Sequence, residues 1–369
     1  MATAWNNIYF AKDVPDLTIP WTDGDKLRII VSDNADNVVA TIDEAYAADQ
    51  SGNITVTNIG DLAMAYISPF SLDGVPAHGT LIAPWCRVAV NVIHEDETTT
   101  TYSTKIYYAT ARTHIANPEQ YMGFLSRSSH KVITTGVPVC LSTAASNTVT
   151  LGVVYKSGMM RYVELPLTTP GQSGIAVYFL TVAYVAQLAA TATEREISAK
   201  DIYEIRAMVM SGGMAIDNIS FVVDGFHSRN STVFLFTNCF GCPEAEGFFG
   251  ADTQNVDMDS EQAFMDNHYR KAWADLTVTN KVHSGHVTRD KFASLHDLAV
   301  APKVYLMRTE DDMEEVTITD IDFGYEKPVT RPQSVAVTYR IAAKTQDVYV
   351  RELNPTVRVF DVSFDQSFE

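Results

Sequence analysis

The chain has 369 residues, 46% hydrophobic and 20% charged, a composition that excludes a disordered protein and a length that exceeds one comfortable domain. Acids outnumber bases 45 to 27, a formal charge of -18, so neither nucleic acid nor an anionic membrane surface is expected as the main partner. The opening Met1-Ala2-Thr3-Ala4-Trp5 lacks a basic stretch followed by an apolar one, so no secretory signal is expected. The apolar run Gly174 to Ala190 is interrupted by Thr181 and Gln187 and is too short to span a bilayer. These readings predict a soluble protein made in the cytoplasm.

Residues 1–21 read as an extended N-terminal arm, with Phe10, Val14, Leu17, Ile19, Pro20 and Trp21 lacking a domain of their own. Such an arm is expected to add a strand to a neighbour or to clamp a partner subunit. Residues 22–112 predict a β-sandwich. Val88, Val90 and Val92 alternate with polar or small residues, as do Tyr102, Thr104, Ile106 and Tyr108, and shorter runs fall at Leu27–Val31, Ile54–Thr57 and Leu62–Ile67. After a connector opening at Ala116 and running to about Ser129, residues 113–245 predict a central β domain. Its strands are Val149–Tyr155, Ile219–Val223 and Val233–Phe236, and Ser198–Met210 suits either a helix or a strand. Residues 246–369 predict a third β domain with short helices. It opens on a Gly/Phe-rich loop and the acidic stretch Asp252–Glu261. Lys291–Val300 carries an apolar helical stripe of Phe292, Leu295, Leu298 and Ala299, and Ser260–Trp273 carries a sparser one. Strands follow at Val304–Met307, Val335–Ile341 and Val357–Phe364. A change of phase between Ile318 and Ile321, and another between Val359 and Phe360, predicts β-bulges or strands that change sheet. Turn dipeptides such as Asp23-Gly24, Ser51-Gly52 and Ser157-Gly158 separate the runs at short intervals. The fold class is mainly β: two or three sandwich or barrel-like domains in series, with boundaries near 112 and 245 and one or two short helices.

Chemistry-bearing patterns are few. Cys239-Phe-Gly-Cys242 has the spacing of half a zinc site, and His283 and His286 are the candidates to complete it. The spacing to the histidines is unusual, and a thiol pair following a strand in β surroundings lacks the helix N-terminus that redox work needs. Packing around a turn shaped by Gly241 and Pro243 is the simpler expectation. Asp257-x-Asp259-x-Glu261 begins like a calcium loop, but Gln262 stands where the loop needs glycine and His268 where it needs glutamate. A solvated acidic loop capping the next helix is expected instead, with His94–Glu97 and Glu310–Glu315 as hairpin tips. No nucleophile elbow, HExxH motif or phosphate loop occurs. A pair of carboxylates on facing strands, which is all a glycosidase requires, leaves no trace in spacing. No catalytic residue and no cofactor are expected. Trp5, Phe10, Trp21, Phe248 and Phe249 are the candidate contact residues, the last two as an exposed pair in a Gly-rich loop; for Trp85, beside Cys86 at a strand start, packing is the better reading.

Three segments carry a resemblance. Thr232–Glu244 resembles a strand followed by an N-x-F-G-x-x-E loop, Ile106–Ala111 the strand closing an N-terminal sandwich, and Leu298–Met307 a short helix running into a V-Y-L strand. In this order they resemble β-rich structural proteins from the tail and baseplate modules of phages and prophages of Bacteroidales-type gut bacteria. The chain departs from that pattern in placing two cysteines around the Phe-Gly. The resemblance implies a virion component of a tail, baseplate or fibre-attachment region, made in the host cytoplasm. Its partners would be other virion proteins and copies of itself, in a symmetric homo-oligomer. The alternative from another class is a carbohydrate-binding or carbohydrate-cleaving tail module that meets a host-surface glycan.

Overall fold

The computed structural model describes residues 5, 7–73, 76, 78–166, 173–193, 197–224, 231–265, 268–285, 287, 289–309, 312–323 and 334–342. The strands are β1 (Ile8–Phe10), β2 (Leu17–Pro20), β3 (Lys26–Ser32), β4 (Val38–Glu44), β5 (Asn53–Val56), β6 (Gly79–Ile82), β7 (Trp85–Ile93), β8 (Thr99–Tyr107), β9 (His130–Ile133), β10 (Val139–Ala144) and β11 (Thr148–Tyr155). They continue with β12 (Met160–Glu164), β13 (Ile175–Leu180), β14 (Ile202–Ser211), β15 (Met214–Val223), β16 (Thr232–Thr237), β17 (Pro243–Phe248), β18 (Asp252–Met265), β19 (His268–His283), β20 (Val304–Thr309), β21 (Asp312–Asp322) and β22 (Ala336–Ile341). Three α-helices are described: α1 (Ile59–Met64), α2 (Val182–Thr193) and α3 (Arg289–Val300). The protein is mainly β, with several separate sheets.

An N-terminal sheet runs β1-β8-β7-β3-β4, beside a ribbon β2-β5. A three-stranded sheet runs β10-β13-β6, a central sheet β12-β11-β14-β15-β9, and a seven-stranded sheet β17-β16-β20-β21-β22-β19-β18. The central and three-stranded sheets face each other across one core. Leu151, Val153, Ala207 and Phe221 meet Leu141, Ala176, Tyr178 and Leu180, with α2 closing the side through Val182, Val185 and Ala189. The opposite face of the three-stranded sheet, Cys140, Ile175, Val177 and Phe179, packs on Val233, Leu235 and Tyr305 of the seven-stranded sheet. That sheet's far face, Phe234, Phe236, Val304 and Leu306, is covered by Leu295 and Leu298 of α3. β10, β13 and β16 are therefore buried on both faces, which is why β13 and the Val233–Phe236 part of β16 read as unbroken apolar runs rather than as alternation.

The core crosses the sequence intervals. Phe10 and Tyr107 from the first interval share a cluster with Leu125 and Val177 from the second and Tyr305 from the third. β6 pairs with β13, and the boundary at 245 falls inside β17, which is hydrogen-bonded to β16. The N-terminal arm is used internally, a correction to the clamp expected from its sequence. β1 pairs in parallel with β8, β2 pairs with β5, and Leu17 and Ile19 are fully buried. An apolar extended segment satisfies both its backbone and its side chains more cheaply on its own sheet than in water.

Two local readings change. Leu62–Ile67 lies in and just beyond helix α1 rather than in a strand. The described residues of 260–273 lie in β18 and β19 rather than in a helix, so the Asp257–Glu261 stretch is strand backbone and not a capping loop. Cross-strand pairing along fourteen residues outweighs the sparse helical stripe. Ser198–Met210 resolves as a short turn of 3-10 helix followed by β14. The phase change in β21 is a register shift between Ile318 and Asp320. His94–Glu97 forms the tip between β7 and β8. Glu310 and Asp311 at the next tip, and the strand expected at Val357–Phe364, lie outside the described residues.

Candidate functional site

The densest group of ionisable side chains is inside the protein, where the edge strands β9 and β17 meet under α3. Along β17, Ala245 joins the core between the sheets, while Phe248 joins the core under α3. Strand alternation turns Glu244 and Glu246 to the same face as Phe248. There they meet the buried Ser294 and Lys291 of α3, and Lys131 reaches them from β9. Glu244 and Glu246 are each 1% exposed and Lys131 is 3% exposed.

The contacts are dense. Lys131 Nζ donates to Glu244 Oε1 at 2.7 Å and lies 3.6 Å from Glu246 Oε1. Ser294 Oγ lies 3.1 Å from Glu244 Oε1 and 2.9 Å from Glu246 Oε1. Lys291 Nζ donates to the Gly247 carbonyl at 2.8 Å, 3.6 Å from Glu246 Oε2, and stands 5.7 Å from the centre of the Phe248 ring. Ser126 Oγ donates to Glu244 Oε1 at 2.8 Å. Nearby, Asp297 accepts from the Cys239 backbone N–H at 3.2 Å and pairs with Arg127 at 3.3 Å. Burial alone would push the Glu244 carboxyl up, but Lys131 and the hydrogen bonds from Lys131, Asn238 and Ser126 outweigh it and hold it below its ordinary range. Lys131 is held above its ordinary range, because the two glutamates outweigh its own desolvation. Asp297 goes the other way: its burial outweighs Arg127 and raises it.

The N-x-F-G-x-x-E segment supplies the rest of the site. Asn238 Nδ2 donates to Glu244 Oε2 at 2.7 Å and to the Leu125 carbonyl at 2.8 Å. Its Oδ1 accepts from the backbone N–H groups of Phe240 at 3.0 Å and Cys242 at 3.2 Å. Gly241 closes the turn at φ 74, where a side chain would meet Tyr108. The turn's carbonyls also accept from the N-terminal region, Cys239 O from Thr110 N–H and Gly241 O from Phe70 N–H. The loop is thus tied to the first interval by the carbonyls of Cys239 and Gly241 and to the third by Glu244 through Ser294.

The sequence-predicted metal candidates do not converge. Cys239 and Cys242 are free, buried thiols at one end of β17, pushed up to about 12 chiefly by burial. His283 lies at the opposite end, its backbone bonded to Gly250 and Ala251. That is the length of β17 away, about 20 Å by strand rise. His286 lies outside the described residues. Among the described residues no three His, Cys, Asp or Glu side chains are grouped to hold a metal.

Four of the five expected contact aromatics are core residues instead, a correction with a common cause: each of these rings has an apolar seat inside its own chain. Trp5 and Trp21 pack in the N-terminal core, Phe10 beside Tyr107 and Phe240, and Phe248 edge-on to Phe234. Phe249 is half-buried. Trp85 is half-buried under Lys105 Nζ, 4.2 Å from its ring centre. The signal that was missed is Lys131, whose place beside Glu244 no spacing reveals; Glu244 and Glu246 show only as an i, i+2 pair.

No helix among the described residues is long and apolar enough to cross a membrane. No protein-family model matches the chain, and no curated protein matches it. Among solved structures it is similar to a Ca2+-stabilised adhesin that helps an Antarctic bacterium reach out and bind ice, at 13% identity, covering 77% of this chain and 68% of that one with a TM-score of 0.14. A 1.5-MDa bacterial ice-binding adhesin studied for its retention at the host cell surface gives 10% identity over 75% and 88%, also at 0.14. At these TM-scores neither likeness carries an argument about this chain.

Proposed function

We propose that the chain is a structural β protein that makes subunit contacts in a larger assembly, with copies of itself and with neighbouring proteins. The observation that carries this reading is the open edge of the N-terminal sheet. Among the described residues β4 is hydrogen-bonded only to β3, so its other side is an open strand edge there. It also holds Val38 at 61% and Val39 at 45% exposure, with no lysine or proline along Val38–Glu44 to guard it. With its acids Asp43 and Glu44 confined to the far end, the exposed Val38–Val39 stretch of this edge suits a protein that adds strands to a neighbour. The concentration of ionisable groups in a sealed interior supports the same reading, since a polymer substrate cannot reach Glu244 or Glu246. Placement in a phage tail, baseplate or fibre-attachment region rests on the resemblance of Thr232–Glu244 and its companion segments.

Light scattering coupled to size-exclusion chromatography tests it. The protein should elute as a concentration-dependent oligomer, and Val38→Lys with Val39→Lys should shift it to the monomer while leaving its circular dichroism unchanged. A wild-type chain that stays monomeric, or a variant that still assembles, overturns the reading of this edge.

A second reading has one observation behind it. On the outward face of the central sheet Tyr162 is 64% exposed beside Gly152, with Met160 and Met208 around the same glycine. A flat face with an exposed ring suits sugar stacking. Binding on a glycan array that Tyr162→Ala abolishes would favour a carbohydrate-binding module.

A further inference from the structure

Lys131, Glu244 and Asn238 form more than an ion pair. The glutamate bridges an amine and a carboxamide, Oε1 to Lys131 Nζ and Oε2 to Asn238 Nδ2, both at 2.7 Å. The carboxamide oxygen is already bound by two backbone N–H groups, those of Phe240 and Cys242. All three side chains are buried. A nucleophile, a proton carrier, an electrophile and a pair of oxyanion donors are thus assembled in a site sealed from water.

We infer that Lys131 and Asn238 become joined by an intramolecular isopeptide bond, with Glu244 as the proton carrier. The chemistry balances. Glu244 takes a proton from the Lys131 ammonium, and the free amine attacks Asn238 Cγ. The negative charge that develops on Oδ1 is held by the Phe240 and Cys242 N–H groups. Glu244 passes its proton to Nδ2, the Cγ–Nδ2 bond breaks, and ammonia leaves as the Nζ–Cγ amide forms; the second proton lost from Nζ leaves with it as ammonium. No oxidant or external co-reactant is required. Lys131 is held charged in the resting cluster, so the first proton transfer is uphill and the step is slow, but it has to occur only once per chain. The product replaces a buried ammonium with a neutral amide, removing a desolvation cost. It also ties β9 of the central sheet covalently to the turn between β16 and β17, across the seam where two sheet edges meet.

Mass spectrometry of the denatured full chain tests this directly. The expected mass is lower than the sequence mass by one ammonia, and tryptic digestion should yield a branched peptide joining Lys131 to Asn238, with no cleavage after Lys131. Asn238→Asp should lose water in place of ammonia, and Glu244→Gln and Asn238→Ala should run at their full sequence masses. Because the wild-type chain is read first, the test stands even where a variant fails to fold. A wild-type chain at its full mass, or an ammonia loss located at another asparagine, overturns the proposal, and a Glu244→Gln chain that still cross-links overturns the role given to Glu244.

Discussion

Lys131 and Glu244 show how a single residue pair can be costly and yet retained. Taking both charges out of water costs several kcal/mol per ion, and their attraction offsets this only because Ser126, Asn238 and Ser294 satisfy the remaining positions. Removing one partner leaves the other charged and buried. Made in Asn238→Ala, which keeps Lys131 as an ammonium, Lys131→Met should therefore destabilise the protein by about 3–5 kcal/mol, read from urea unfolding. Lys131→Met combined with Glu244→Leu, which strands no charge between them, should cost less than the single change. The acid limb of stability follows from the same carboxylate. Its folded pKa is depressed, so its contribution is present above its ordinary value of 4.5 and is lost as pH falls through the depressed folded value. In a chain that has not formed the cross-link, Lys131, raised from 10.5, stays charged throughout that window and adds no slope there. Urea midpoints measured from about pH 6 down to about pH 3 should fall steeply in Asn238→Ala, which keeps Lys131 as a free ammonium, and less steeply in Asn238→Ala with Glu244→Gln. An equal slope in both would place the acid sensitivity elsewhere.

Elements short enough to be marginal alone are held by where they land. β1 has three residues and β2 four, and neither would be stable in isolation. β1 is fixed by parallel pairing to β8 and by Phe10, which has no exposed surface and touches the rings of Tyr107 and Phe240. Phe10→Ala should cost about 3–5 kcal/mol and make the segment preceding β3 the first site cut in limited proteolysis. If that segment is cut no faster than in the wild type, the anchoring role assigned to Phe10 is wrong. The same reasoning explains α1. Ile59 and Ala63 bury one side of the element against the N-terminal core, and Gly60 lies so close to the Ala11 carbonyl that a Cβ there would clash. The apolar residues of Leu62–Ile67 suit either period over so few positions, and contact with the arm decides for the helix.

At the scale of the whole molecule three of the sheets stack, while the N-terminal sheet and the β2-β5 ribbon enclose a core of their own. The three-stranded sheet is shared, burying one face against the central sheet and the other against the seven-stranded sheet. Cutting at 245 would divide the β16–β17 hairpin and separate Glu244 from Glu246. What remains open is the rim, above all β4, and charging that edge at Val38 and Val39 is the change expected to alter assembly without altering the fold.

The local pattern by itself determined the β class, fewer than half of the described strands, helix α3 and the bulge in β21, because a period of two and a phase slip are properties of neighbouring residues. The resemblance of Thr232–Glu244, not the pattern, placed Asn238 and Glu244 in one motif. Only the tertiary structure decided that the arm belongs to its own sheet, that Phe248 is core, that Cys242 and His283 lie at opposite ends of a strand, and that Lys131 meets Glu244. Each of these depends on contacts between residues far apart in sequence, and side-chain spacing along one strand carries no information about which distant strand will lie against it.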